Sequence, residues 1–307
     1  MVYALALGSA LCGAIGGVLQ RIGVEAAPEQ HAMRLRLLSY ALRRGTWLLG
    51  FAFLLMTFVL QATALRFGDL SVVQPVSTTE LLFLVGILVV VFHNHIGWRE
   101  VGGAAMVVVG LGGFLVLAAP QIGKGIPGLK GWGAVSVVVA VVTSVLVAAS
   151  QRGPRWVRAG ALGGGAAMLF AYNASLAKAT TTLITKGWGH VFAHWEPYAL
   201  VVTGFVGFFL LQNALHAGPI AASRSVMVVV NPLASIAIGV FVFHERLRTG
   251  GIFVSGEVVA LLAMCAGGFV LSQSPLVTGI AVGGGSSEML GRKPLVLPAF
   301  PDTGVEG

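Results

Sequence analysis

Apolar runs of eighteen residues or more recur along most of this chain, and polar residues gather between them. We read nine, at about 2–22, 46–65, 70–92, 99–119, 131–150, 156–177, 197–215, 219–243 and 251–272. Each is long enough to cross about 30 Å of hydrocarbon as a helix. The stretch at 29–45, EQHAMRLRLLSYALRRG, has Leu35, Leu38 and Leu42 on one helical stripe, but it also carries Arg34, Arg36, Arg43 and Arg44. Each arginine would cost roughly 2.5 to 3.5 kcal/mol at mid-bilayer. An interfacial helix is therefore expected there, not a tenth span. From 274 to 307 a Gly-, Pro- and Ser-rich sequence predicts a disordered tail.

Composition agrees with the pattern. Of the 307 residues 56% are hydrophobic and 10% charged, with a mean hydropathy of +0.90, against about 25% charged residues in soluble domains. The expected fold class is an all-helical polytopic membrane protein, with the lipid bilayer as its principal partner. The net charge of +8 would suggest nucleic acid in a soluble protein; here the basic residues fall between spans and report orientation instead. Counted over nine spans, one side holds Arg21, Arg34, Arg36, Arg43, Arg44, Arg99, Arg152, Arg155, Arg158, Arg224, Arg292 and Lys293, and the other Arg66, Lys124, Lys130, Lys178, Lys186, Arg246 and Arg248. The richer side is expected to be cytoplasmic, which puts the C-terminus inside. No basic residue precedes the first span, so it is read as mature structure and not as a signal peptide. Cys12 and Cys265 each lie within an apolar run and suggest neither a disulfide framework nor a metal cluster.

Two stretches resemble each other. ATALRFGDLSVVQPVSTTELLFLVGILVVVFHN covers 62–94 and QNALHAGPIAASRSVMVVVNPLASIAIGVFVFHE covers 212–245. Both open on Ala-Leu followed by a glycine, continue into a polar-interrupted span carrying a proline, and end on Phe-His. A shift of five crossings relates them, so corresponding helices run in opposite directions. Two inverted repeats are therefore expected, 1–120 and 121–273, as in many secondary transporters.

The sequence VNPLASIAIGVFVFHERL at 230–247, with its proline-containing span and Glu-Arg-Leu turn, resembles the drug/metabolite transporter superfamily and its EamA-like halves. The first half, with QATALRFGDLSVVQPVSTTELLFL, is similar to the NIPA-like magnesium transporter branch. The resemblance implies a ten-helix transporter fold lacking one span, and transport of a small solute across the cytoplasmic membrane. Thr57, Phe58 and Gln61 stand where the magnesium branch has a Gly-Glu pair and an asparagine. Asn94 stands where the family has a glutamate, which only Glu245 keeps. A hard divalent cation prefers carboxylate oxygens, so an organic solute is the first reading and a magnesium or divalent-cation carrier the second.

Glu80 falls near the expected midplane of its span, where an ionised side chain must face a cavity, a partner or water. It is the preferred substrate or ion-binding residue, able to serve proton or cation coupling, or alternatively to tie helices together in its protonated form; it is also the one metal candidate in a cation carrier. Ser77, three residues earlier, shares its helical face. Pro75 and Pro232 remove backbone donors in corresponding spans and so mark helix irregularities beside a central site. Gln61, Gln74, Gln212, Arg224 and Asn231 complete the candidate cavity groups. Neither a nucleotide loop nor a nucleophile–base pair stands in the sequence, so no enzyme, no cofactor and no nucleic-acid partner is expected. A non-transporting membrane scaffold is the reading from a different class. Oligomeric state is not legible.

Overall fold

The computed structural model describes residues 1–25, 45–91, 96–119, 127–218, 220–248 and 250–274. The predicted interfacial helix, apart from its last residue, and all but the first residue of the C-terminal tail lie outside this range.

Every described element is a helix, apart from short turns and one isolated bridge residue. In chain order they are α1 Val2–Glu25, α2 Gly45–Phe67, α3 Leu70–Ser77, α4 Glu80–Val90, α5 Trp98–Ala118, α6 Leu129–Ser150, α7 Arg155–Thr185, α8 Trp188–Ala193, α9 Glu196–Ala217, α10 Ile220–Phe241 and α11 Gly251–Ser272. Among the described residues eight helical segments are long and apolar enough to span a membrane, α3 and α4 together forming one of them at Leu70–Val90. The protein is thus a multi-pass membrane protein by helix length and composition. The remaining predicted span, 156–177, falls within α7. That helix is not among the eight, because glycine, threonine, Asn173 and Lys178 dilute its apolar residues. It is instead packed by protein, against α2, α6, α8, α9 and α10.

The predicted limits at 177 fall short of the end of α7, which continues to Thr185. Residues 174–186, ASLAKATTTLITK, contain neither glycine nor proline, so nothing in the backbone stops the helix until Gly187. Lys178, expected between spans, is therefore inside a helix. In the first half, the predicted irregularity falls after Pro75, not at it. Thr78 and Thr79 donate from their backbone N–H groups to the carbonyls of Pro75 and Val76 at 3.1 and 3.0 Å. Their hydroxyls bond the same two carbonyls at 2.6 and 2.7 Å. This tight turn separates α3 from α4. In the second half, α10 contains Pro232 and runs uninterrupted.

Helix pairs approach through glycine, as expected where lipid removes the hydrophobic drive for association. Along α5 and α11, a Cβ at Gly103 would stand 3.2 Å from the Gly267 carbonyl oxygen, and one at Gly110 would stand 2.6 Å from the Ala260 carbonyl oxygen. A Cβ at Gly112 on the same helix would meet nothing within 4 Å. The end of α5 is closed by the Arg248 N–H, which donates to the Ala118 carbonyl at 2.9 Å. We predict that Gly110→Leu destabilises the detergent-solubilised protein by about 1 to 3 kcal/mol through overpacking, while Gly112→Leu leaves the thermal midpoint unchanged. Fluorescence-detected thermal denaturation distinguishes the two.

Candidate functional site

The site is built where α3 and α4 of the first half meet α7 and α10 of the second. Asp69 precedes α3 in extended conformation, and Lys178 projects from α7. Glu245 follows α10 in a short turn where His244 adopts a positive φ of 53° and the Glu245 N–H folds back to the Gly239 carbonyl at 3.0 Å. Lys178 Nζ lies 2.9 Å from Asp69 Oδ1 and 2.8 Å from Glu245 Oε1. The Glu245 side chain is fully buried, at 0% exposure. It also accepts from the Leu70 N–H at 2.8 Å, the Ser71 N–H at 3.0 Å and the Ser71 hydroxyl at 2.5 Å. Its charge thus sits on the unsatisfied donors at the start of α3, where a carboxylate is favoured. Gly239 makes room for it, since a Cβ there would stand 2.7 Å from the Glu245 carboxyl carbon.

Phe243 lies beneath the ammonium, with its ring centroid 5.1 Å from Lys178 Nζ. Trp132 meets Phe243, Tyr172 and Trp195 edge-on at 6.0, 6.0 and 5.4 Å between centroids. Ions and aromatic rings together form a dense layer at the face of the bundle that also holds the N-terminus.

Below this layer lies a cavity of about 390 Å³. Gln61 and Thr57 of α2, Gln74 and Ser77 of α3, Glu80 of α4, Asn173 of α7, and Arg224 and Asn231 of α10 line it, together with Thr78 and the apolar Leu65, Ala174, Ala177 and Met227. Most of the predicted site residues are therefore brought together. Pro232 is also in the wall, whereas Pro75 is buried within the core beside it. Gln212 is not brought in; it lies exposed on α9, away from the cavity. Asn173 gains its place by orientation, its amide donating to the Leu200 carbonyl at 2.6 Å and to Thr203 at 3.0 Å.

Glu80 is the first residue of α4, so the turn at Thr78–Thr79 presents its carboxylate at a helix N-terminus. Its carboxyl group lies against Gly13 of α1, where a Cβ would stand 3.0 Å from the carboxyl carbon. Arg224 lines the same cavity, and among the described residues the two form no ion pair. At the inner end of the cavity, Asn231 Nδ2 reaches Gln74 Oε1 at only 3.5 Å, and Gln74 Nε2 and Asn231 Oδ1 are buried with no partner.

The ion layer was the part that sequence reasoning missed. Asp69, Lys178 and Glu245 are far apart in the chain, and each stands at the end of an apolar run, where a charge is ordinarily solvated. The unbroken Ala- and Thr-rich helix around Lys178 and the position of Asp69 just before a helix were the available signals. Among the described residues no three His, Cys, Asp or Glu side chains gather as a metal site would require.

No protein-family model and no solved structure matches the chain. It is similar to an uncharacterised protein of Corynebacterium glutamicum, with 28% identity over 270 residues, covering 88% of this chain and 93% of that protein. The geometry therefore carries the functional reading.

Removing the ammonium would leave two carboxylates facing each other in the interior. We predict that Lys178→Met lowers stability by about 3 to 5 kcal/mol. The exposed Lys186→Met should change it by less than about 0.5 kcal/mol. Thermal unfolding in detergent compares them.

Proposed function

We propose that this protein is a secondary transporter that moves a small metabolite or xenobiotic across the cytoplasmic membrane by alternating access, its two halves arranged as inverted repeats. The observation that carries this reading is the cavity itself, a mostly apolar space whose wall holds the carboxyl group of Glu80 and the guanidinium of Arg224 inside an apolar helical bundle. Placing charge at such depth is costly, and bundles that do so around a void between two halves commonly bind a solute there.

The ion layer supplies the barrier on one face. Asp69, Leu70 and Ser71 belong to the first half, and Lys178 and Glu245 to the second, so the contacts that close the cavity are among those that join the halves. In the opposite direction the cavity reaches Arg224, about one turn from the start of α10. Access from the face holding the N-terminus requires the layer to separate. The alternate conformation then re-forms a seal at the other end. The energy comes from a solute or ion gradient, with Glu80 as the coupling or binding carboxylate.

An organic solute ranks above magnesium or another divalent cation. A hard cation calls for several oxygen ligands, commonly carboxylates, whereas this cavity sets one carboxylate beside the positive charge of Arg224. Transport also ranks above a purely structural role, because a scaffold gains nothing from unpaired polar atoms on Gln74 and Asn231.

The test is side-specific accessibility. In a chain carrying Cys12→Ser, Cys265→Ala and Ala174→Cys, a membrane-impermeant thiol reagent should label the cavity cysteine readily from the face nearer Arg224 and slowly from the face of Lys178. Adding Lys178→Met should raise labelling from the Lys178 face by about tenfold or more, as expected when a minor open state becomes populated. Equal rates from both faces, unaffected by Lys178, would refute the reading.

A further inference from the structure

The aromatic part of the seal has a titratable brace at its edge. Where α9 begins, the chain turns from extended backbone at His194, with φ −109° and ψ 153°, to helical backbone at Trp195, with φ −83° and ψ −22°. His194 and Glu196 flank this corner on either side of Trp195, and His194 Nδ1 lies 3.6 Å from Glu196 Oε2. The two side chains differ in access. That of His194 is 44% exposed and meets the medium, whereas that of Glu196 is 4% exposed, with Oε2 buried and without a hydrogen-bond partner.

A carboxylate placed there is favoured by the N-terminus of its helix, yet this oxygen is left unanswered. A protonated imidazole answers it with opposite charge; a neutral one offers only a dipole. Histidine is the side chain whose charge ordinarily changes between about pH 5 and 8, so the brace is attractive in acid and slack in alkali. The other titratable groups around this corner are Lys130 of α6, Tyr172 and Lys178 of α7, Lys186 just after α7, His190 of α8, Tyr198 of α9 and Glu245 beyond α10. Lys178 and Glu245 answer each other, Tyr172 Oη lies 2.7 Å from Ser136 Oγ, and the Tyr198 hydroxyl donates to the Phe192 carbonyl at 3.1 Å. Lys130, Lys186 and His190 are exposed. Among the described residues, His194 is the one cation paired with Glu196.

What the brace holds is Trp195. Its ring meets Trp132 edge-on at 5.4 Å, and Trp132, 3% exposed, meets Phe243 in the same way at 6.0 Å. Phe243 in turn lies 5.1 Å from Lys178 Nζ. Loosening the corner at Trp195 thus removes one support of the rings packed beside the ion layer.

We propose that His194 and Glu196 form a proton-operated latch on the seal, fastened when His194 is protonated and released when it is neutral. This rests on the transport reading, and adds that the pH on the face holding the N-terminus sets how readily the ion layer separates.

Two measurements on the full chain test it, each at about pH 5.5 and about pH 8, on either side of the range in which histidine ordinarily titrates. The first is the thermal midpoint in detergent. Wild type should exceed His194→Gln by about 1 to 3 °C at the lower pH, as expected of one partly exposed ion pair in a chain of this length, and match it at the higher. The second is labelling of the Ala174→Cys cavity cysteine from the Lys178 face, taken as the ratio of variant to wild-type rate at the same pH, which cancels the ionisation of the thiol itself. For His194→Gln that ratio should be about threefold at the lower pH and near one at the higher. Glu196→Gln should behave in the same way and make a second change at His194 silent. His194→Lys, which carries its charge at both pH values and checks for misfolding, should label slowly at both. Differences that do not depend on pH, His194→Lys behaving as His194→Gln, or a pH-dependent midpoint with unchanged labelling would each overturn the latch. Wild-type labelling that is equal from both faces and insensitive to Lys178 is instead the failure of the transport reading, and the midpoint series then still decides whether the pair forms.

Discussion

The bridge from Lys178 to Asp69 and Glu245 is the interaction on which the rest of the structure depends. Two carboxylates and one ammonium leave an excess negative charge in a poorly solvated place, and burial of that kind is tolerated only when every lone pair is answered. Here the first turn of α3 answers it, through two backbone N–H groups and the Ser71 hydroxyl. The turn at His244, the glycine at position 239 and the extended length of α7 are all needed to bring these groups together. These groups join the two halves of the chain at one face, in addition to the close α5–α11 packing that joins them along a helix pair, with Trp132 and Phe243 packed beside the ions.

Below the layer, the space between α1, α2, α3, α4, α7 and α10 is a cavity lined by side chains of both halves. The break at Thr78–Thr79 then matters chemically. It starts a new helix at Glu80 and sets a carboxylate on its first turn, while Gly13 allows that carboxylate close approach to α1. In α10 the same polar density is carried by an uninterrupted helix, so the two walls present charge by different means. The cavity and the ion layer are separated by only a few helical turns.

The spans were legible because their signal is length and hydropathy, and the described helices follow the expected limits closely at 2–22, 99–119 and 251–272. The Leu70–Leu84 stretch was also legible as an interrupted span, and its Gln74, Ser77 and Glu80 line the cavity. Side-chain direction was not. A helix apolar on every side, such as α9, carries no polar stripe to say which face turns inward, so Gln212 could not be told apart from Gln61. Lys178 was hidden for a related reason. Hydropathy ends a span where the apolar residues thin out, but α7 is surrounded by protein and needs no such residues, so its helix continues past the hydrophobic limit and carries the lysine inside.

The central claim is that the cavity under the ion layer is a path for solute, and flux across a membrane tests it most directly. Purified protein in proteoliposomes, screened with labelled organic solutes of each charge type and with divalent cations, should take up at least one of them above protein-free vesicles, and Glu80→Gln should abolish that uptake. No uptake of any of them above empty vesicles, or uptake unchanged by the loss of the Glu80 carboxyl group, would contradict the account.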